Sequence, residues 1–190
     1  MTEQQLCNAS ELAAAIDRMT DAILADFGSS DTPDYALVGL YRAGVPLAER
    51  LVAAIAARGG KAPVLGKLDV TMYRDDIGLR RTLPLIRETV IPFNLEGAKV
   101  ILVDDVLSSG RTIRAALDAL TSYGRPALIR LAVLIDRNHP EYPIRPDYVG
   151  LKIELPADRK IVVSLPEDPA AATAYTKPAS SAGETTPAEA

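Results

Sequence analysis

The sequence predicts an α/β fold, with a central, mostly parallel sheet flanked by helices. Three observations lead there. Strand-like apolar runs alternate with segments of helical periodicity along residues 9–135. Two of those runs, YALVGL and KVILV, are continuous rather than alternating, as expected of strands covered on both faces. The chain of 190 residues, 48% hydrophobic and 24% charged, is long enough to bury one full core without metal or disulfide staples.

Residues 9–27 place Leu12, Ile16, Met19, Ile23 and Leu24 on one helical stripe that Ser10 is suited to cap. Residues 35–40 form a short apolar run containing Gly39 and suit a buried strand. Residues 45–57 read as a helix, with Pro46 in its first turn and Gly59-Gly60 beyond its end. Residues 64–73 are strand-like, and residues 74–92, charged and proline-containing, read as a loop or irregular hairpin. A strong buried strand follows at 99–103, a helix at 110–123 stopped by Gly124, and a further strand at 127–135. The last 25 residues hold no Val, Leu, Ile, Met or Phe and are rich in Ala, Pro, Ser and Thr, so a disordered tail is expected over 166–190 and a folded domain over 1–165.

Composition excludes several classes. Arg130 splits the apolar run 127–135, and every other run is also too short for a membrane span. The first residues, MTEQQLCNASELAAAIDRM, lack the basic and apolar regions of a secretory signal, so a cytoplasmic protein is expected. A lone cysteine, Cys7, excludes a disulfide framework and reads as an inert residue in a loose N-terminus; a lone histidine, His139, excludes a multi-histidine metal site. Net charge is −4, of which the tail contributes four acids against one base. The nearly neutral body makes no global electrostatic case for nucleic acid.

The sharpest feature is VILVDDVLSSGRT, residues 100–112. An apolar strand delivers two adjacent acids, Asp104 and Asp105, to its carboxyl end, where open α/β folds bind ligands. The turn Ser108-Ser109-Gly110 then enters a helix at Arg111-Thr112, exposing backbone N–H groups where the helix dipole favours an anion. Ser108, Ser109 and Thr112 add hydroxyl donors. Two carboxylates beside a phosphate pocket need another role, and vicinal ribose hydroxyls supply one, directly or through Mg²⁺. The pattern therefore reads as a ribose 5-phosphate site. Neither the P-loop nor the dinucleotide fingerprint is present.

The same segment resembles the phosphoribosyl pyrophosphate (PRPP) signature of the type I phosphoribosyltransferases. ELAAAIDRMTDAIL, GLYRAGVPLAERL, LDVTMYRDD and GRPALIRLAVLIDRNHPEYPIRPDYVG are similar, in order and spacing, to the PyrR family, pyrimidine-operon attenuation regulators that are also uracil phosphoribosyltransferases. The similarity spans residues 9–165. It implies the type I phosphoribosyltransferase fold, with a small hood and a flexible loop, and the conversion of uracil and PRPP to UMP and pyrophosphate with Mg²⁺ brought by PRPP and no side chain expected to ligate the ion directly.

On this resemblance Asp104 and Asp105 hold the ribose hydroxyls, and Val106, Leu107, Ser108, Ser109, Gly110, Arg111 and Thr112 form the 5′-phosphate loop. Arg42, Ala43 and Gly44 form the pyrophosphate loop. Arg74, Arg80 and Arg81 lie in the loop that closes over the site, and Arg80 and Arg81 are expected to assist catalysis electrostatically. Asp136, Arg137 and Ile161 belong to the base site, with Val162 beside Ile161 in the hood, while His139 reads as a surface residue. The resemblance also implies a homodimer or higher homo-oligomer and binding of pyrimidine-operon mRNA. The leading helix offers one base, Arg18, against Glu11, Asp17 and Asp21, and Glu154 and Asp158 follow Lys152, so the cationic cluster that RNA phosphates require is sparse. A UMP-sensing regulator with little turnover and a purine-base phosphoribosyltransferase are the competing readings; the match over 135–150 argues against the latter.

Overall fold

A computed structural model describes residues 3–28, 34–75 and 85–179. Five parallel strands form the main sheet: β2 (Tyr35–Leu40), β3 (Val64–Leu68), β4 (Lys99–Leu107), β5 (Leu128–Asp136) and β6 (Tyr148–Lys152), in the order β3-β2-β4-β5-β6. The chain passes from β2 through helix α2 (Gly44–Ala57) to β3 on one side, then crosses to β4 on the other. The carboxyl ends of β2 and β4 are therefore a topological switch point, where such sheets open a crevice.

Alternation along the strands builds two cores. Leu37, Ile101, Val103, Ala132 and Leu134 face α1 (Ala9–Phe27) and α2, meeting Leu12, Ile16, Met19, Leu47 and Leu51. Val38, Leu102, Leu131 and Val133 face the other way, against Ile113, Ala116 and Leu120 of α3 (Arg111–Thr121). Helix α1 starts from Asn8 rather than Ser10. The Asn8 side chain accepts from the Glu11 N–H at 3.0 Å and the Glu11 carboxylate accepts from the Asn8 N–H at 2.9 Å, a reciprocal cap.

Four segments differ from the sequence expectation. Strand β3 stops at Leu68, a 3₁₀ turn follows at Thr71–Tyr73, and Val90 returns to pair with Lys67. Strand β6 arises from the proline-flanked YVGLK, which carries too few apolar residues to announce a strand. The N-terminus is not loose: β1 (Gln4–Cys7) pairs with β8, and burial pushes the Cys7 thiol up. Finally, the expected disordered tail is ordered as far as residue 179, because β8 (Thr173–Pro178) is the middle strand of an antiparallel sheet β1-β8-β7, with β7 at Arg159–Ser164. Ala174 and Thr176 are buried and alternate with half-buried Thr173, Tyr175 and Lys177; two flanking strands satisfy the backbone, so large side chains are not required. This small sheet is a hood over the α1/α2 core, to which it contributes Val163, Leu165, Ala172 and Ala174.

Ala174→Asp places an unpaired carboxylate at a fully buried position of the central hood strand. It is expected to lower unfolding free energy by about 3 kcal/mol or more, read by denaturant titration.

Candidate active site

Strand β4 outruns its neighbour. Its pairing with β2 ends at Gly39–Val103, while pairing with β5 continues through Val106–Ile135 to Leu107–Asp136. The sequence led us to end the strand before the two acids; instead they sit inside it, on a stretch whose β2-facing edge is open. Asp104 is 6% exposed and Asp105 half-buried. The Asp104 carboxyl accepts from the Asp105 N–H at 3.0 Å. Burial, reinforced by the Asp105 charge, pushes Asp104 well above the usual carboxylate range, and burial also raises Asp105. The Arg74 and Arg42 guanidiniums oppose these shifts, the first at Asp104 and the second at Asp105, so both arginines face the acidic pair.

Two helix N-termini point into this crevice, and neither has a side-chain cap. At α3 the chain turns at Gly110, with φ +89°, a left-handed conformation that favours glycine. The first intrahelical bond comes from the Arg114 N–H to the Gly110 carbonyl, and the Arg111 N–H reaches the Ser109 hydroxyl at 3.4 Å. The turn borders a cavity of about 60 Å³ lined by Asp104 and Val106 to Ile113, a polar space that suits one phosphate group. At α2 the turn Arg42-Ala43-Gly44 seats the helix against β4. A Cβ on Gly44 would stand 2.4 Å from the Val103 carbonyl oxygen and 3.2 Å from Asp104 Cα, so no larger residue fits this approach.

Residues 73–75 close one flank. Arg74 donates to the Thr112 hydroxyl at 2.8 Å, and Arg114 donates to the Tyr73 carbonyl at 3.3 Å. Asp69, which sequence reasoning missed, clasps both ends of the excursion that follows β3. Its carboxylate accepts from the Thr71 N–H at 2.7 Å and from the Arg87 N–H, while its own N–H donates to Thr89. Although burial works against it, these bonds from Thr71 and Arg87 hold the carboxyl below its ordinary value. The Asp-x-Thr spacing in LDVTMYRDD is the local signal, an Asx turn. Arg80 and Arg81 lie outside the described residues.

An acidic pair, Asp104 buried and Asp105 half-buried, between two helix N-termini suits a phosphorylated sugar, and comparison with known proteins gives the family. The phosphoribosyl transferase domain family matches residues 3–169. The bifunctional protein PyrR of Roseiflexus sp. is 48% identical over 167 residues, covering 88% of this chain and 90% of its own; that of Thermus aquaticus is 47% identical over 161 residues, covering 85% and 87%. The chain belongs to the phosphoribosyltransferases, and within them to the PyrR family. The fold is also that of a hypoxanthine-guanine phosphoribosyltransferase from Bacillus anthracis (TM-score 0.64, 18% identity, 84% of this chain and 86% of that one) and a Trypanosoma cruzi hypoxanthine phosphoribosyltransferase (TM-score 0.64, 20% identity, 80% and 78%).

Across the turn 107–112 lies the segment that joins β5 to β6. Asp136 ends β5 and accepts from the Asn138 N–H at 2.9 Å. The Arg137 N–H donates to the Leu107 carbonyl at 2.9 Å, and its guanidinium to the Ser108 hydroxyl at 3.2 Å and to the Leu155 and Pro156 carbonyls at 3.4 and 3.2 Å. Its Nε–H is buried without a protein acceptor. Arg137 thus ties the phosphate loop to the chain leading into the hood, a link the sequence did not disclose. Ile161 of β7 and Val106 of β4 pack on the same apolar cluster, which brings the hood to the edge of the site. His139 is exposed. No helix among the described residues is long and apolar enough to cross a membrane.

Because Asp104 is held above its unfolded value, the folded chain binds more protons than the unfolded chain between those two values. Ligand-free stability therefore falls as pH rises out of the ordinary carboxylate range towards the folded value. Asn retains the acceptor for the Asp105 N–H and removes the charge. Asp104→Asn is thus expected to raise the melting temperature at pH 7 and to leave it nearly unchanged at pH 4; a lower melting temperature at pH 7 contradicts this.

Proposed function

We propose that the protein transfers the ribose 5-phosphate of PRPP to uracil, forming UMP and pyrophosphate. The observation that carries the reading is the pair Asp104–Asp105 set between the uncapped N-termini of α2 and α3. The amides and hydroxyls of residues 107–112 would bind the 5′-phosphate, and the two acids the ribose 2′- and 3′-hydroxyls. The Arg42-Ala43-Gly44 turn would bind pyrophosphate with its backbone. Uracil N1 attacks the anomeric carbon, the bond from that carbon to the pyrophosphate oxygen breaks with its electron pair leaving on pyrophosphate, and the N1 proton is released. Positive charge on the ribose ring and negative charge on the leaving group grow together in the transition state. Asp104 and Asp105 stabilise the first; Arg42, Arg74 and the α2 dipole stabilise the second. Arg80 and Arg81, in the loop that follows Arg74, would add to the second.

Two carboxylates suit a hard cation shared with the hydroxyls. Among the described residues no cluster of three or more His, Cys, Asp or Glu could hold a metal alone, so PRPP itself would supply the remaining oxygens. A Mg²⁺ ion brought by PRPP and held beside Asp104 and Asp105 would supply screening of the pyrophosphate charge. Asp136, Arg137 and Ile161 would form the base site.

A second role, RNA binding, gains support from a cavity of about 300 Å³ behind the phosphate loop. Arg145 and Lys152 line it with one carboxylate, Asp136, beside Ser108, Asn138 and Ile144, and neither cation makes an ion pair among the described residues. The acids of α1 that weigh against a cationic face are spent within the fold: Asp17 and Asp21 pair with Arg58 at 2.7 and 2.8 Å, and Glu11 caps its own helix.

Pyrophosphate release assayed with uracil, hypoxanthine and adenine decides the base: turnover with uracil alone is expected, and turnover with a purine alone rejects the reading. Asp105→Asn should lower kcat/KM by about 10²-fold, and unchanged turnover would remove the acids from the site. For the second role, pyrimidine-operon leader RNA should bind more tightly with UMP present. Arg145→Ala with Lys152→Ala should flatten the dependence of log K on log salt by roughly 0.7–0.9 for each phosphate no longer neutralised.

A further inference from the structure

Arg111 opens helix α3 inside the phosphate loop, yet its guanidinium turns away to two carboxylates on opposite flanks. It reaches Glu141 at 2.8 Å through Nη2 and 3.1 Å through Nε, and Asp75 at 2.7 Å through Nη1. Its Cζ also lies 5.7 Å from the centroid of the Tyr142 ring. Asp75 ends the described part of the loop stem; Glu141 and Tyr142 belong to the segment between β5 and β6. Both flanks are fastened to the phosphate loop by other bonds. The Glu141 and Tyr142 N–H groups donate to the Ser109 carbonyl at 3.0 and 3.1 Å, and Tyr142 and Ile144 pack over Gly110. Residues 73–75 are held by Thr112 and Arg114.

We propose that Arg111 is a positioning residue for PRPP: its side chain does not touch the phosphate but spans the phosphate loop from outside, holding the loop stem and segment 137–147 to it as one unit. A planar fork presents N–H groups to both flanks in a fixed geometry; a lysine ammonium, a compact charge on a flexible stem, does not span them in the same way. Both carboxylates already engage the Arg111 guanidinium N–H groups, so its side chain is turned away from a phosphate ligand's role. Backbone amides are left to hold the phosphate, pre-set in position before it arrives.

The inference rests on the proposed PRPP reaction, so the test separates the two. Hydrogen–deuterium exchange of the ligand-free protein reads the strut alone, and PRPP titration calorimetry with Mg²⁺ reads the site. In Arg111→Met, peptides covering 73–75 and 141–144 should both exchange faster, while peptides of β2 and β5 stay protected. Glu141→Gln should speed exchange at 73–75, across the phosphate loop from the substitution. The PRPP dissociation constant should rise about tenfold in Arg111→Met and less in Arg111→Lys, with kcat changing less than KM. Asp75→Asn combined with Glu141→Gln should weaken PRPP no more than the worse single variant, because either break undoes the span. Unchanged exchange on either flank, additive losses, or full PRPP affinity in Arg111→Met overturns the proposal. Wild-type protein that fails to bind PRPP overturns the proposed reaction instead, with the exchange data still judging the strut.

Discussion

Strand β2 stops pairing with β4 at Gly39–Val103, and β4 runs on for four residues supported by β5 alone. The remaining site depends on that mismatch. A strand edge freed of its neighbour has room for a ligand, and the chain leaving β2 must turn within the same space, which it does through Arg42-Ala43-Gly44 into α2. Because Gly44 has no side chain, the α2 N-terminus can rest on Val103 and Asp104 directly. Helix α3 then enters from the other side through Gly110. Two dipoles and two acids share one crevice, an arrangement that is electrostatically incomplete until a ligand carrying both anionic groups and hydroxyls fills it.

The incompleteness is visible in the folded protein. Asp104 is buried beside Asp105 and held towards its neutral form, a destabilising arrangement that an optimally stable fold would not retain. Ligand hydroxyls and a cation would satisfy these carboxylates, so binding and stability are linked through the same two side chains. Asp69, Arg111 and Arg137 each join two separate segments: Asp69 joins residues 71 and 87, Arg111 joins Asp75 and Glu141, and Arg137 joins Ser108 and Pro156.

The parts of the fold that sequence reveals are those whose signal is contiguous. Helices α1, α2 and α3 carry unbroken apolar stripes; KVILV is buried on both faces; residues 104–112 are one run in which acid pair, small-residue turn and helix start are adjacent. What stayed hidden is assembled from distant pieces or carried by small residues. The extension of β4 through Asp104 and Asp105 contradicts the low strand preference of aspartate and is imposed by pairing with β5. Strand β8 alternates correctly, but with Ala and Thr where a recognisable strand has Val and Ile. Asp75 and Glu141 look like solvated charges, and Arg111 reads as one member of the phosphate loop, until the fold places the three together.

The hood has a different dependence from the sheet beneath it. Within the main sheet the most distant pairing is that of β2 with β4, Tyr35 facing Lys99, whereas β1 meets β8 across nearly the whole chain, Gln4 facing Thr176 and Cys7 facing Ala174. Contacts of such separation close late in folding, because the loop entropy they must overcome is largest. The hood therefore joins a preformed crevice and holds to it through a few apolar contacts, Val163, Leu165, Ala172 and Ala174 on the α1/α2 core, and through the Arg137 bonds to Leu155 and Pro156. On the proposed function, Asp136 and Arg137 at the end of β5 and Ile161 of the hood would together set the opening over the base, so that part of the site depends on both sheets.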